Sequence, residues 1–234
     1  MPGLRMTPRL RAVTFDVYSA LYDTPRGLAA ALRSILQQRG VAGDPLAVSR
    51  VWRTKQREYL LIANSLDREP ASNRKAIEAS ARYALRTLEP PLGGEEVGAL
   101  VGAWERLPPW PEAAEVLQEV RRRGLMLATL SNGDEDMLRA LVANLGVTFD
   151  RIISTEGGKF KPHPSAYSRA LEALGVRHEE WLHVAGGAPD AAGATAAGTR
   201  TVWVNRQADA VIDSRYSPAH QVTDLKGLLP LLDG

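Results

Sequence analysis

The stretch TFDVYSALYD, Thr14 to Asp23, decides how the chain is read. Ala12-Val13-Thr14-Phe15 is a short apolar run closed by a carboxylate, the pattern of a strand that gives out into a loop. Asp16 would then stand over the edge of a sheet. An aspartate there also commonly turns the chain or caps a helix, so its meaning depends on its partners. Two residues on, the chain carries Tyr18 rather than a second acid.

Outward from this stretch, apolar runs at Leu125 to Ser131, Arg151 to Ser154, Leu182 to Ala185 and Thr201 to Val204 read as further strands. Helical patterns lie between them at Glu112 to Arg123, Glu135 to Leu145, Ser165 to Leu174 and Asp190 to Ala197. Strand and helix alternating in this way predict an α/β fold, a doubly wound parallel sheet covered on both faces. Ligands of such sheets sit beyond the carboxyl ends of the strands, where Asp16, Ser131 and Asp190 all fall.

The segment from Pro25 to Leu107 breaks the rhythm. It offers helices near Gly27 to Gln38, Pro45 to Leu66, Asn73 to Leu88 and Glu95 to Arg106, and no convincing strand. The expected division is a core of residues 1–24 and 108–234 with a helical cap of residues 25–107 inserted after the first strand. Thr24-Pro25 and Pro108-Pro109-Trp110-Pro111 are stiff connections suited to its two ends. Helices packed on the sheet as part of one core are the alternative.

At 234 residues the chain can bury a sizeable core. Its 29 basic and 27 acidic side chains leave a formal charge of +2, and Arg121-Arg122-Arg123, just before Gly124, reads as a helix C-terminus. No nucleic-acid or membrane partner is expected. The absence of cysteine excludes disulfides, thiolate metal sites and thiol nucleophiles. The N-terminal MPGLRMTPRLR lacks the apolar core of a signal peptide, so the cytoplasm is the default location. None of the four histidines has metal-ligand spacing with another, and none is assigned to a site.

Three further signals each follow a strand. Leu130-Ser131-Asn132-Gly133 offers a hydroxyl and an amide on a Gly-supported turn, several donors for one anion, or else an ordinary helix cap. Phe160-Lys161-Pro162 fixes a positive charge in a rigid turn, where it can hold a carboxylate ionised. Val184 to Ala194 ends a strand on two glycines and opens a helix at Asp190. In order along the chain the residues are Asp, Ser, Lys and Asp.

That order resembles the haloacid dehalogenase superfamily from about Leu10 to Val204, which implies its Rossmann-like core and inserted cap. Within it the chain resembles the (S)-2-haloacid dehalogenases, which carry Tyr where Tyr18 stands. The phosphatase branch has an acid there and a second acid where this chain has Gly186. Val51-Trp52-Arg53-Thr54-Lys55-Gln56 is similar to a Trp-Arg-x-Lys-Gln stretch of the dehalogenase cap. Trp52, Tyr59, Ala63 and Leu66 make an apolar helix stripe with Arg53 at its border. Tyr167 falls where the family has a site tyrosine.

The resemblance implies metal-independent hydrolysis of a small 2-haloacid to a 2-hydroxyacid, with no cofactor. Asp16 would form an ester with the substrate, Asp190 would activate or orient water, and Lys161 would keep the acids ionised. Ser131 would hold the substrate carboxylate beside Tyr18 and Tyr167, and Arg53 with Asn132 would receive the halide. A homodimer is the assembly the likeness suggests. Ala20, Ala185 and Gly187 depart from polar residues of the family, which removes hydrogen bonds that would orient these groups. Arg57, one turn beyond Arg53, either faces the site as a second cation or turns to solvent with Glu58 as partner. Two alternatives stay open: a phosphatase of the same fold with an unusual Mg²⁺ site, and a non-catalytic member that only binds an anion.

Overall fold

In a computed structural model the chain is described over residues 9–67, 70 and 72–233, so most of the N-terminal stretch read above lies outside the described residues. Strand β1, Ala12–Phe15, lies inside a five-stranded parallel sheet, one strand from its edge. Its neighbours are β2, Met126–Thr129, and β3, Trp181–Ala185; β4, Arg200–Val204, and β5, His220–Val222, extend the sheet in the order β2-β1-β3-β4-β5. The chain leaves β1 toward neighbours on opposite sides, and this opens the crevice in which α/β sheets hold ligands.

Alternate residues divide between two buried faces, as a sheet covered twice requires. Val13, Phe15, Leu127 and Val184 pack with α5, Ala113–Arg122, and α6, Glu135–Ala143. Ala12, Ala128 and Trp181 pack with α7, Pro164–Leu174, and α8, Ala188–Ala196.

Two strand expectations need correction. Residues Arg151 to Ser154 form no strand, only isolated parallel bridges from Arg151 to Ala128 and from Ser154 to Ser131. Thr129 Oγ1 interrupts the regular ladder by accepting from the Ile153 N–H at 2.9 Å. Strand β5 was not anticipated: it is three residues long with His220 and Gln221 exposed, so it carries little apolar signal.

Between β1 and β2 lie α1, Thr24–Gln38, α2, Pro45–Leu66, α3, Asn73–Ala84, and α4, Gly94–Ala103. They supply no strand to the sheet. The two connections to them pair with each other: Tyr22 bridges Pro109, Asp23 N–H donates to Pro108 O, and Trp110 N–H donates to Leu21 O.

The buried stripe of α2 is Ser49, Trp52, Gln56 and Leu60. The expected stripe through Leu66 is therefore out of phase, and Leu66 is exposed. Gln56 takes an interior position because its amide donates to Asn73 Oδ1 at 2.5 Å, so a polar residue reads as part of the core face.

Side chains also tie these helices to the sheet. Asp134 accepts from the backbone N–H of Asn73 at 2.5 Å and of Arg74 at 3.3 Å, which sets a carboxylate at the N-terminus of α3. Asn64 of α2 pairs with both backbone groups of Phe160, at 2.9 and 2.8 Å, beside Lys161.

Candidate active site

Directly after β1 the backbone makes a single π-helical turn, Val17–Leu21, and Asp16 is its N-cap. Such turns recur at functional sites because they re-aim a side chain within one turn. Ser19 N–H donates to Asp16 Oδ2 at 3.1 Å, Ser131 Oγ donates to Oδ1 at 3.1 Å, and Lys161 Nζ donates to Oδ1 at 3.3 Å. The carboxylate is thus held by three donors while still lining a small cavity of about 80 Å³.

Lys161 is the hub. Its ammonium donates to Asp16, to Asp190 Oδ2 at 2.7 Å and to Leu130 O at 2.6 Å, which uses all three of its protons. Burial works against the charge, but Asp16 and Asp190 outweigh it and raise the lysine above its ordinary value. Asn132 fixes the lysine backbone, accepting from Lys161 N–H at 2.7 Å and donating to Lys161 O at 3.0 Å. Its amide also lines the cavity.

Asp190 lies in the first turn of α8, whose N-cap is Gly187, so it is not the helix cap. It accepts from Lys161, from Tyr167 OH at 2.9 Å and from His183 Nε2 at 3.1 Å. Burial alone would raise its pKa; the charge of Lys161 and then the contact with His183 prevail and hold it well below the usual carboxylate range. Tyr167 and Ser131 were expected to touch the substrate. In the structure Tyr167 stands behind Asp190, and the Ser131 hydroxyl is spent on Asp16; neither lines the inner cavity.

His183 was missed by the sequence reading, which assigned no histidine. It is fully buried on β3, in register with Thr14 of β1. Trp181 Nε1–H donates to Thr14 Oγ1 at 2.8 Å, which leaves the threonine proton for His183 Nδ1 at 2.8 Å. That arrangement leaves Nε2–H facing Asp190, so one tautomer satisfies every group in the chain. The available signal was polar: Thr14 and His183 interrupt two otherwise apolar strands. Orientation that Ala185 and Gly187 cannot supply is thus given to Asp190 by His183 and Tyr167.

The helices above contribute the other wall. Tyr18, Trp104 and Trp52 make successive edge-to-face contacts, with centroids 5.2 and 5.8 Å apart. Burial pushes the Tyr18 phenol up, so it stays neutral. The Arg53 guanidinium lies 5.1 Å from the Trp104 centroid, donates to Gln56 Oε1 at 2.9 Å and reaches Ser19 Oγ at 3.2 Å. Burial, then the charge of Arg57, pull Arg53 down to about 9, which leaves it cationic at neutral pH.

The chemistry of the donor set bears on the metal question. A Cβ on Gly186 would stand 2.3 Å from Ala20 N and 2.5 Å from Ser19 C, so no acid fits there. Lys161 already bridges Asp16 and Asp190, and no group of three acids or histidines able to hold a metal occurs among the described residues.

A carboxylate at a strand end, held by a lysine and facing a cavity beneath an arginine-bearing helix, is where a doubly wound α/β enzyme places its reacting groups. The chain belongs to the haloacid dehalogenase-like hydrolase family, whose model matches residues 10–198. Among relatives, it is 34% identical over 233 residues to (S)-2-haloacid dehalogenase 4A of Burkholderia cepacia, covering 97% of this chain and 96% of that one. It is 31% identical over 229 residues to the (S)-2-haloacid dehalogenase of Pseudomonas sp. (strain YL), covering 96% and 95%. The solved L-2-haloacid dehalogenase of Xanthobacter autotrophicus with chloropropionic acid covalently bound superposes with a TM-score of 0.82 at 30% identity, covering 96% of this chain and 99% of that one.

Proposed function

We propose that the protein is a 2-haloacid dehalogenase that hydrolyses small 2-haloacids to 2-hydroxyacids through an ester on Asp16. One observation carries the reading: the Asp16 carboxylate faces the inner cavity, and its charge is balanced by an ammonium rather than by a metal-binding acid cluster. The curated (S)-2-haloacid dehalogenases named above support it.

In the first step an Asp16 oxygen attacks C2 in line with the carbon–halogen bond. The bonding pair leaves with the halide, C2 inverts, and an ester forms. Halide departs as an anion and needs no proton, so an acid in place of Tyr18 is unnecessary. Arg53 receives the developing charge, with the Asn132 amide beside it. The substrate carboxylate is held by neighbouring backbone N–H groups during the displacement, and Ser131 joins them once Asp16 is esterified and releases the serine.

Water then attacks the Asp16 carbonyl carbon. Asp190, held by Lys161, Tyr167 and His183, orients that water, and one of the water's two protons ends on the departing product oxygen. The second proton leaves as Asp16 returns to the carboxylate. The helical layer of residues 25–107 acts as a cap that excludes bulk water and strengthens these fixed charges.

The test is chloride release from each enantiomer of 2-chloropropionate in excess EDTA. Stoichiometric chloride and lactate from one enantiomer are expected. Release of phosphate from phosphate esters that requires Mg²⁺, with no chloride from either enantiomer, would instead favour the phosphatase alternative.

A further inference from the structure

The inner cavity does not end at Asp16. It meets a second, larger cavity of about 330 Å³, whose walls include Arg50, Trp110, Asn205 and Asp209. The two share four lining residues: Ser19, Arg53, Arg57 and Gly187. Arg53 and Arg57 therefore line both spaces, between Asp16 and the outer cavity, where they can meet a ligand from either side.

The arginines differ in their commitments. Arg53 is engaged by Gln56, Ser19 and the Trp104 ring. Arg57 is half-buried, yet it makes no hydrogen bond or ion pair among the described residues. Glu58, the partner the sequence offered, is taken by Lys55 at 2.6 Å. Burial lowers Arg57, opposed by the more distant charges of Asp16 and Asp209. A guanidinium half-removed from water without an acceptor is unfavourable unless a ligand supplies one.

Gly187 contributes space to this arrangement. Its φ of −144° is one any residue adopts, so the backbone does not demand glycine. A Cβ there would meet Arg57 Nη2 at 3.7 Å, and a longer side chain would enter the volume beside the guanidinium.

We propose that Arg57 and the outer cavity form a subsite for a second anionic group. The preferred substrate is then a 2-haloacid whose side chain ends in a carboxylate, a 2-halodicarboxylic acid. This rests on the dehalogenase reading for the reaction and on Arg57 for the selectivity.

The experiment compares kcat/KM for 2-chlorosuccinate and 2-chlorobutyrate, which is of similar size without the second charge. The diacid should lead by roughly tenfold or more, the range of a charge-assisted hydrogen bond. Arg57→Leu should erase that lead, whereas Arg57→Lys should keep part of it. A wild-type preference for the monoacid, or an equal fall on both substrates in Arg57→Leu, overturns the subsite.

Calorimetric binding of succinate against butyrate gives a readout free of turnover. Release of halide from neither acid strikes at the reaction assignment alone. Succinate binding that weakens in Arg57→Leu then still upholds the subsite, and unchanged binding refutes it.

Discussion

The strand ends and the face of α2 handle charge in opposite ways. At the strand ends every ion is matched: Lys161 spends all three protons, and Asp190 accepts from three side chains. On α2, Arg53 leans on an aromatic ring and two neutral groups, and Arg57 has no acceptor among the described residues. Saturated ions are rigid and pre-organised, which suits the chemical step. Unsaturated cations leave a positive potential waiting for a ligand, which suits recognition. The contrast fits a covalent step built on the sheet and cations on the helix that meet the anionic parts of the ligand.

Changes on the sheet side should therefore cost turnover, and the largest effect is expected at the nucleophile. Asp16→Asn should lower chloride release by about a thousandfold or more, because a neutral amide is a poor nucleophile. Lys161→Met comes next. Leaving Asp16 and Asp190 facing each other without their cation should cost about 3–5 kcal/mol in a urea titration. It should also raise Asp190, and the acid limb of the pH–rate profile should move to higher pH.

His183→Phe should reduce kcat by about tenfold, since it removes a donor that orients Asp190 without touching Asp16. Stopped-flow halide detection would show the asymmetry: a burst of one equivalent followed by slow turnover, because ester hydrolysis suffers more than displacement. Equal slowing of both phases would mean that the sheet does not divide its work between the two acids.

The pH dependence of stability is a subtler consequence. Asp190 is depressed in the folded chain, so its stabilisation is complete above its unfolded value of about 4 and fades as pH falls toward the lowered folded value. Urea midpoints measured downward from about pH 5 should fall less steeply in Asp190→Asn than in the parent. The smallest effect belongs to the outer face of α2. Lys55→Ala breaks an exposed pair with Glu58 and a cation–π contact with Tyr83, and should change stability by about 1 kcal/mol or less.

Much of this organisation was legible in the sequence because it rests on periodicity. Parallel strands buried on both faces read as continuous apolar runs, and β1 to β4 stand close to the expected boundaries. The order Asp16, Ser131, Lys161, Asp190 was visible because each follows a strand, and the structure brings all four within one hydrogen-bonded cluster. What escaped depends on register across the sheet. Thr14 and His183 are 169 positions apart and meet only because β1 and β3 are neighbours.

The phase of α2 escaped for a related reason. Gln56 lies outside the apolar stripe expected from the sequence, but Asn73 on another helix satisfies it inside. The 151–154 segment had strand composition without the regular ladder, since a threonine side chain takes one of the backbone bonds. Pairing partners outside the local window decided each case.

The central claim is that an Asp16 oxygen becomes bonded to C2 of the substrate and is then exchanged with water. The most direct measurement is a single turnover in ¹⁸O-water with protein in excess over (S)-2-chloropropionate, followed by mass spectrometry of the peptide containing Asp16 and of the lactate. The account predicts ¹⁸O in that peptide and unlabelled lactate from the first turnover. Label in the lactate with none in the peptide would mean that water attacks C2 directly, and would contradict it.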